Sequence, residues 1–156
     1  MINNKKVFHS IKEFVSQLDD VYGDDIHSLK LYQYLLTKTN YQNKKAVKKH
    51  IRVFKIFCDK NSKAILAKDK TIFKLNKIKY SERVNIDISE ILKISDSDTE
   101  LIIWQHLLHI SGLLNPNSEA IDLLKKSLGD KKSNENSFLK NIPLFEDYPL
   151  LLIFQP

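Results

Sequence analysis

One stretch restricts the fold of this chain more than any other. Residues 99–116, TELIIWQHLLHISGLLNP, hold its only Trp and two of its five His. Wound at about 100° per residue, Ile103, Trp104, Leu107, Leu108, Ile110 and Leu114 cover more than half of a helix circumference. Leu101 widens that arc, and Ile102 and Leu113 fall on the far side. A helix apolar nearly all round has no face to offer water, so it reads as a central helix wrapped by others. Its narrow polar strip holds Asp98, Gln105, His106, His109 and Gly112.

The wrapping elements are also helical by pattern. With three Gly and four Pro in 156 residues, the chain lacks the turn residues of a tight-turned all-β fold. Val7, Ile11, Phe14, Val15, Leu18 and Tyr22 recur at helical spacing. Ser10 and Glu13 form a capping box for that helix, and Gly23 ends it. Asp24 or Asp25 then caps a second helix, with Ile26, Leu29, Tyr32, Leu35 and Leu36 on one face. A third spans 43–58, with Ala46, Val47, His50, Ile51, Val53, Phe54, Phe57 and Cys58 as its apolar face. A short helix follows at 62–68. Alternation in KLNKIKY and RVNIDI marks an extended segment or hairpin near 71–86, which needs helices to pack on. Capping boxes at Asp87/Glu90 and Ser97/Glu100 open two further helices, and Asn115-Pro116 closes the central one. Ser118 to Leu128 forms another, with Gly129 as its C-terminal cap. The expected fold is therefore mainly α: a single compact domain of six or seven helices around the Trp-bearing helix.

That domain occupies residues 1–129. DKKSNENS, 130–137, reads as a polar linker, and 138–156 as an apolar tail broken by Pro143, Pro149 and Pro156. YPLLLIFQP is too apolar to stand free in water. Tyr148, Leu150, Leu152 and Phe154 are expected either to pack back on the domain or to dock on a protein partner or a second copy.

His106 and His109, three apart on one helix, can share a metal only if further ligands come from elsewhere. The spacing is not the His-Glu-x-x-His pattern, and no cluster of Asp, Glu or His surrounds it. They are expected to be core or partly exposed histidines, and Trp104 a core anchor. The single cysteine, Cys58, excludes an internal disulfide and reads as a small buried hydrophobe. Glu82, Arg83 and Asp87 read as local ion pairing and capping. No Gly-rich phosphate loop or nucleophile elbow is present, so the expectation is a non-enzymatic protein with neither cofactor nor metal.

Charge is sharply local. Residues 40–80 carry thirteen Lys or Arg and two Asp, a net of +11, whereas the rest nets −5, giving +6 in all. On the third helix Lys44, Lys45, Lys48, Lys49, Arg52 and Lys55 fall within an arc of about 140°. Such a stripe fits an anionic partner: nucleic acid, an acidic protein or an anionic lipid surface. No aromatic is interleaved on that helix face, so no base-stacking platform is expected. The competing explanation is a solvated face enriched in Lys by A/T-rich codons, which Asn and Ile share. No secretory signal and no run near the ~18 apolar residues of a membrane span is found, which suits an intracellular protein.

Three segments, FVSQLDDVY, KNSKAIL and YSERVNIDISEILKISDSDTELIIWQHLL, together resemble small helical proteins of large nucleocytoplasmic double-stranded DNA viruses of algae and amoebae. The matching residues are Phe14, Val15 and Leu18; Asn61, Ile65 and Leu66; Ile86, Asp87, Ile91, Leu92, Ser95 and Asp96; and Ile103, Trp104 and Leu107. The resemblance covers roughly residues 11–116 and carries no catalytic residue. It implies a viral origin; with the basic stripe, the expected function is a non-enzymatic viral interaction protein, in the host cytoplasm or the virion, whose 44–55 helix contacts an anionic partner. The alternative is a nucleic-acid-binding protein without sequence preference.

Overall fold

The computed structural model describes residues 2–116. The helix at 118–128, the linker at 130–137 and the tail with Tyr148, Leu150, Leu152 and Phe154 lie outside the described residues. The fold is mainly α. In chain order it comprises α1 (Asn4–Tyr22), α2 (His27–Lys38), α3 (Lys44–Lys60), α4 (Ser62–Ala67), a 3-10 turn (Lys70–Ile72), β1 (Lys77–Lys79), β2 (Asn85–Asp87), α5 (Ile88–Ile94) and α6 (Ser97–Leu114).

α6 is the axis of the domain. Every residue from Ile103 to Leu114 is buried, and α1, α3 and α4 pack around it. The burial takes in the polar strip beyond Asp98, which is exposed, because Gln105, His106 and His109 are each no more than 2% exposed. Exposure on α6 survives only near its start, where Leu101 is exposed and Ile102 half-buried. Trp104 fills the space beside Phe73, with ring centroids 5.7 Å apart, and its indole N–H donates to Glu100 Oε2 at 3.3 Å. Lys70 pairs with the other oxygen of Glu100 at 3.0 Å, tying the 3-10 turn to the first turn of α6.

The helix starts differ from the sequence expectation in three places. α1 begins at Asn4 rather than beyond Ser10, because Asn3 Oδ1 accepts the Lys6 N–H at 3.1 Å. Asn caps as well as Ser does, and the earlier start brings Val7 and Phe8 into the core while Ser10 is buried within the helix. α2 has Ile26 at its cap position with no side-chain cap, not Asp24 or Asp25. Both Asp25 and Ile26 donate backbone N–H to the Tyr22 carbonyl at 3.0 Å, so the aspartates belong to the turn. α6 is capped by Asp96, one residue before Ser97, through a 2.8 Å bond from the Thr99 N–H. A carboxylate satisfies the positive end of a helix better than a hydroxyl. The Asp87 cap on α5 forms as expected, accepting the Glu90 N–H at 3.0 Å. Gly23 does end α1, though in a right-handed conformation, and a Cβ there would collide with Asp19.

The extended segment is an antiparallel hairpin with Ile78 opposite Ile86. Both isoleucines are fully buried, while Lys77 and Lys79 face outward, which is the period-two alternation of the sequence. Packing of β1 on α3 and of β2 on α2 supplies the support that so short a hairpin needs. Asn61 locks the approach to it. Asn61 is 1% exposed; its Oδ1 accepts the N–H groups of Lys74 and Leu75 at 2.8 and 3.2 Å, and its Nδ2 donates to the Leu75 carbonyl at 2.7 Å.

Two predictions follow from this core. Asn61→Ala leaves three backbone groups without their partner, so it is expected to lower the unfolding free energy by about 2 kcal/mol. A urea midpoint equal to wild type would contradict that role. The second concerns His50, His106 and His109, whose imidazole pKa values burial lowers to about 4, 4 and 3. An unfolded histidine titrates near ~6.5. The stability of the neutral core is therefore full above that value and is lost as pH falls toward 4, because only the unfolded chain takes up protons readily. The urea midpoint should fall steadily between pH 7 and pH 4; a flat profile would mean that these rings are solvated.

Candidate functional site

α3 serves two purposes with two faces. Asn43 Oδ1 accepts the Ala46 N–H at 3.2 Å and starts the helix. Val47, His50, Ile51, Phe54, Phe57 and Cys58 then bury one side. Ala46 and Val53 border that side half-buried. The other side carries the cations. Lys45, Lys48 and Arg52 are exposed there, and with Lys49, Asn43, Ala46 and Tyr80 they line a concavity of about 410 Å³.

The six cations are not equivalent. Lys44 rests on the ring of Tyr41, with Nζ 3.5 Å from the centroid, and Lys49 rests on Tyr80 at 4.0 Å. Lys55 is turned to a different task. Its Nζ contacts Asp59 at 3.0 Å and Asn115 Oδ1 at 3.1 Å, and Asn115 Nδ2 donates to Asp59 at 3.1 Å. This triad ties the C-terminal cap of α6 to α3 and takes Lys55 out of the candidate site. Lys45, Lys48, Lys49 and Arg52 pair with no carboxylate among the described residues. Lys30, Lys70 and Lys79 each do. The first turn of α3 holds no acidic residue, so Lys44 and Lys45 lie against the positive end of the helix dipole. Like charges gathered at such a point lower the stability of the free protein and favour an anion there.

Tyr80 is the residue that inspection of the helix alone misses. It arrives from the hairpin, on the same side of β1 as buried Ile78, and forms one wall of the concavity. The alternation of KIKY carries that signal, because it puts Ile78 and Tyr80 on one face. The helix itself interleaves no aromatic on its basic face; the folded domain brings Tyr80 to that face from the hairpin. The ring is stacked on His50, centroids 4.5 Å apart at 27°, with Lys49 also on it. His50 Nε2 lies 3.4 Å from Thr39 Oγ1, so a chain of contacts runs from the α2 terminus to the basic face.

The histidines of α6 belong to the core. His106 Nε2 meets Gln17 Oε1 at 2.9 Å and its ring lies 5.2 Å from that of Phe14. Its edge reaches a small cleft of about 130 Å³ between α1 and α6. Among the described residues no three His, Cys, Asp or Glu side chains gather as a metal site. Cys58 is fully buried with its thiol pKa pushed up to about 12, mainly by burial, so it is not a nucleophile at neutral pH. Glu82 pairs with Lys79 at 2.8 Å. Arg83 and Glu82 border a shallow concavity with His27, Ser28 and Leu31. Among the described residues no helix is long and apolar enough to cross a membrane.

Comparison with known proteins adds a family. A protein called Uncharacterized protein 218R, from Invertebrate iridescent virus 6, is 34% identical over 148 residues. The match takes in 90% of this chain and 52% of that protein, so the chain spans about half the length of this relative. The resemblance to proteins of large double-stranded DNA viruses therefore stands, through an iridescent virus. No solved structure matches the fold. The model of a family of unknown function, DUF5891, matches residues 7–147, and the chain belongs to that family.

Proposed function

We propose that this protein is a non-enzymatic interaction module that holds an anionic partner against the basic face of α3. The observation that carries this reading is the concavity of Lys45, Lys48 and Arg52, whose charges no carboxylate balances among the described residues. Random Lys enrichment by codon usage explains abundance. It does not explain why Lys45, Lys48, Lys49 and Arg52 gather around one hollow. Lys49, braced on Tyr80, adds a charge whose side chain is already ordered, which reduces the entropy lost on binding.

Retention on immobilised heparin tests the reading without presuming the partner. The wild-type protein should elute at high salt, and a Lys45→Gln/Lys48→Gln/Arg52→Gln variant near the void, while Lys55→Gln shifts little. Unfolding midpoints supply the control. The triple variant should be at least as stable as wild type, because like-charge repulsion is relieved. Lys45→Glu alone should raise the midpoint by placing an acid in the first turn. Equal elution of wild type and triple variant would refute the proposal.

A further inference from the structure

We infer that the partner held by this face is the sugar-phosphate backbone of double-stranded nucleic acid, bound without regard to sequence. The inference rests on the proposed anion-binding role of the groove and names the class of anion.

Three features of the surface select among polyanions. An acidic protein partner would need an apolar or aromatic anchor at the centre of the interface. Of the large exposed hydrophobic residues only Ile56 lies on α3, and both neighbouring tyrosines are covered by lysines. A lipid surface would need a free apolar face to insert beside the cations. The apolar face of α3 is spent on the core, where Val47, Phe54 and Phe57 are no more than 1% exposed. What remains is an electrostatic surface of ammonium groups and one guanidinium, which suits phosphate.

The aromatic wall then separates duplex from single strand. Proteins that hold single strands stack bases on open aromatic faces. The Tyr80 ring is already engaged: His50 is stacked on it at 4.5 Å and Lys49 Nζ lies 4.0 Å from its centroid. Tyr41 carries Lys44 in the same way. The tyrosines therefore act as struts that hold two ammonium groups in place. From Lys44 to Arg52 the helix rises about 12 Å, which matches roughly three or four phosphates along one strand of a duplex. Lys side chains are point charges that reach phosphates and read base edges poorly, so sequence is not recognised.

Fluorescence anisotropy over a salt series tests this with five probes: two short duplexes of unrelated sequence, a dT homopolymer, poly-L-glutamate and phosphatidylserine vesicles. Both duplexes should bind equally and more tightly than the other three. The slope of log K against log salt should be about −3.6, at about −0.9 for each of the groove cations Lys45, Lys48, Lys49 and Arg52. Lys45→Gln, Lys48→Gln and Arg52→Gln should each reduce that slope by about one. Preference for dT would overturn the strut assignment and make the face a single-strand site. Tight binding to polyglutamate or vesicles with weak binding to duplex would overturn the nucleic-acid assignment alone. Weak binding to all five would remove the groove proposal with it.

Discussion

The burial of α6 from Ile103 to Leu114 is the constraint on which the rest of the domain depends. A helix with apolar side chains on every side gains most when nothing of it meets water, at about 25 cal/mol per Å² of apolar surface buried. Satisfying it takes α1, α3 and α4 together, because no single helix can cover more than a part of the circumference. The histidines and Gln105 are carried inside with the rest, which makes them neutral members of the core. Most of the residues that carry the sequence resemblance serve this same end. Phe14, Val15, Leu18, Ile91, Leu92, Ile103, Trp104 and Leu107 are buried, Asp87 and Asp96 cap helices, and Asn61 pins the chain ahead of the hairpin. Ser95 joins two elements, meeting the Tyr22 hydroxyl at 2.6 Å.

The basic groove is a by-product of how α3 meets that demand. Its apolar face is committed to the centre, so its cationic face must point outward, and the hairpin packed alongside closes the face into a hollow. Lys55, Asp59 and Asn115 bind the lower half of α3 to the end of α6 and so separate a structural end from an open end. The cations left over lie toward the N-terminal half, where the helix dipole adds to their charge. Position and charge thus arise from one packing requirement.

Much of this was legible in the sequence, and the parts that were not share a cause. Period and burial follow from side-chain order alone, so the helices, the inward Ile78 and the all-round character of 101–114 could be read directly. Caps were harder where several good capping residues stand in a row. Asp96 and Ser97 compete within one segment, and Asn3 and Ser10 within another; which one wins depends on which turn the core draws in. The groove was half legible. The stripe of Lys44, Lys45, Lys48, Lys49 and Arg52 lies in local sequence, as does the i,i+4 pair of Lys55 with Asp59, whereas the tie of Lys55 to Asn115, sixty residues away, and the gain of Tyr80 depend on packing between distant segments. Contacts between distant segments leave no periodic trace.

The measurement that bears most directly on the central claim is a backbone amide map of the labelled protein titrated with a short duplex. The account places the shifts on residues 43–52 and on Tyr80, with the α1–α6 cleft around Val21 and Ile102 silent. Shifts centred on that cleft, or spread evenly over all surface lysines, would contradict it.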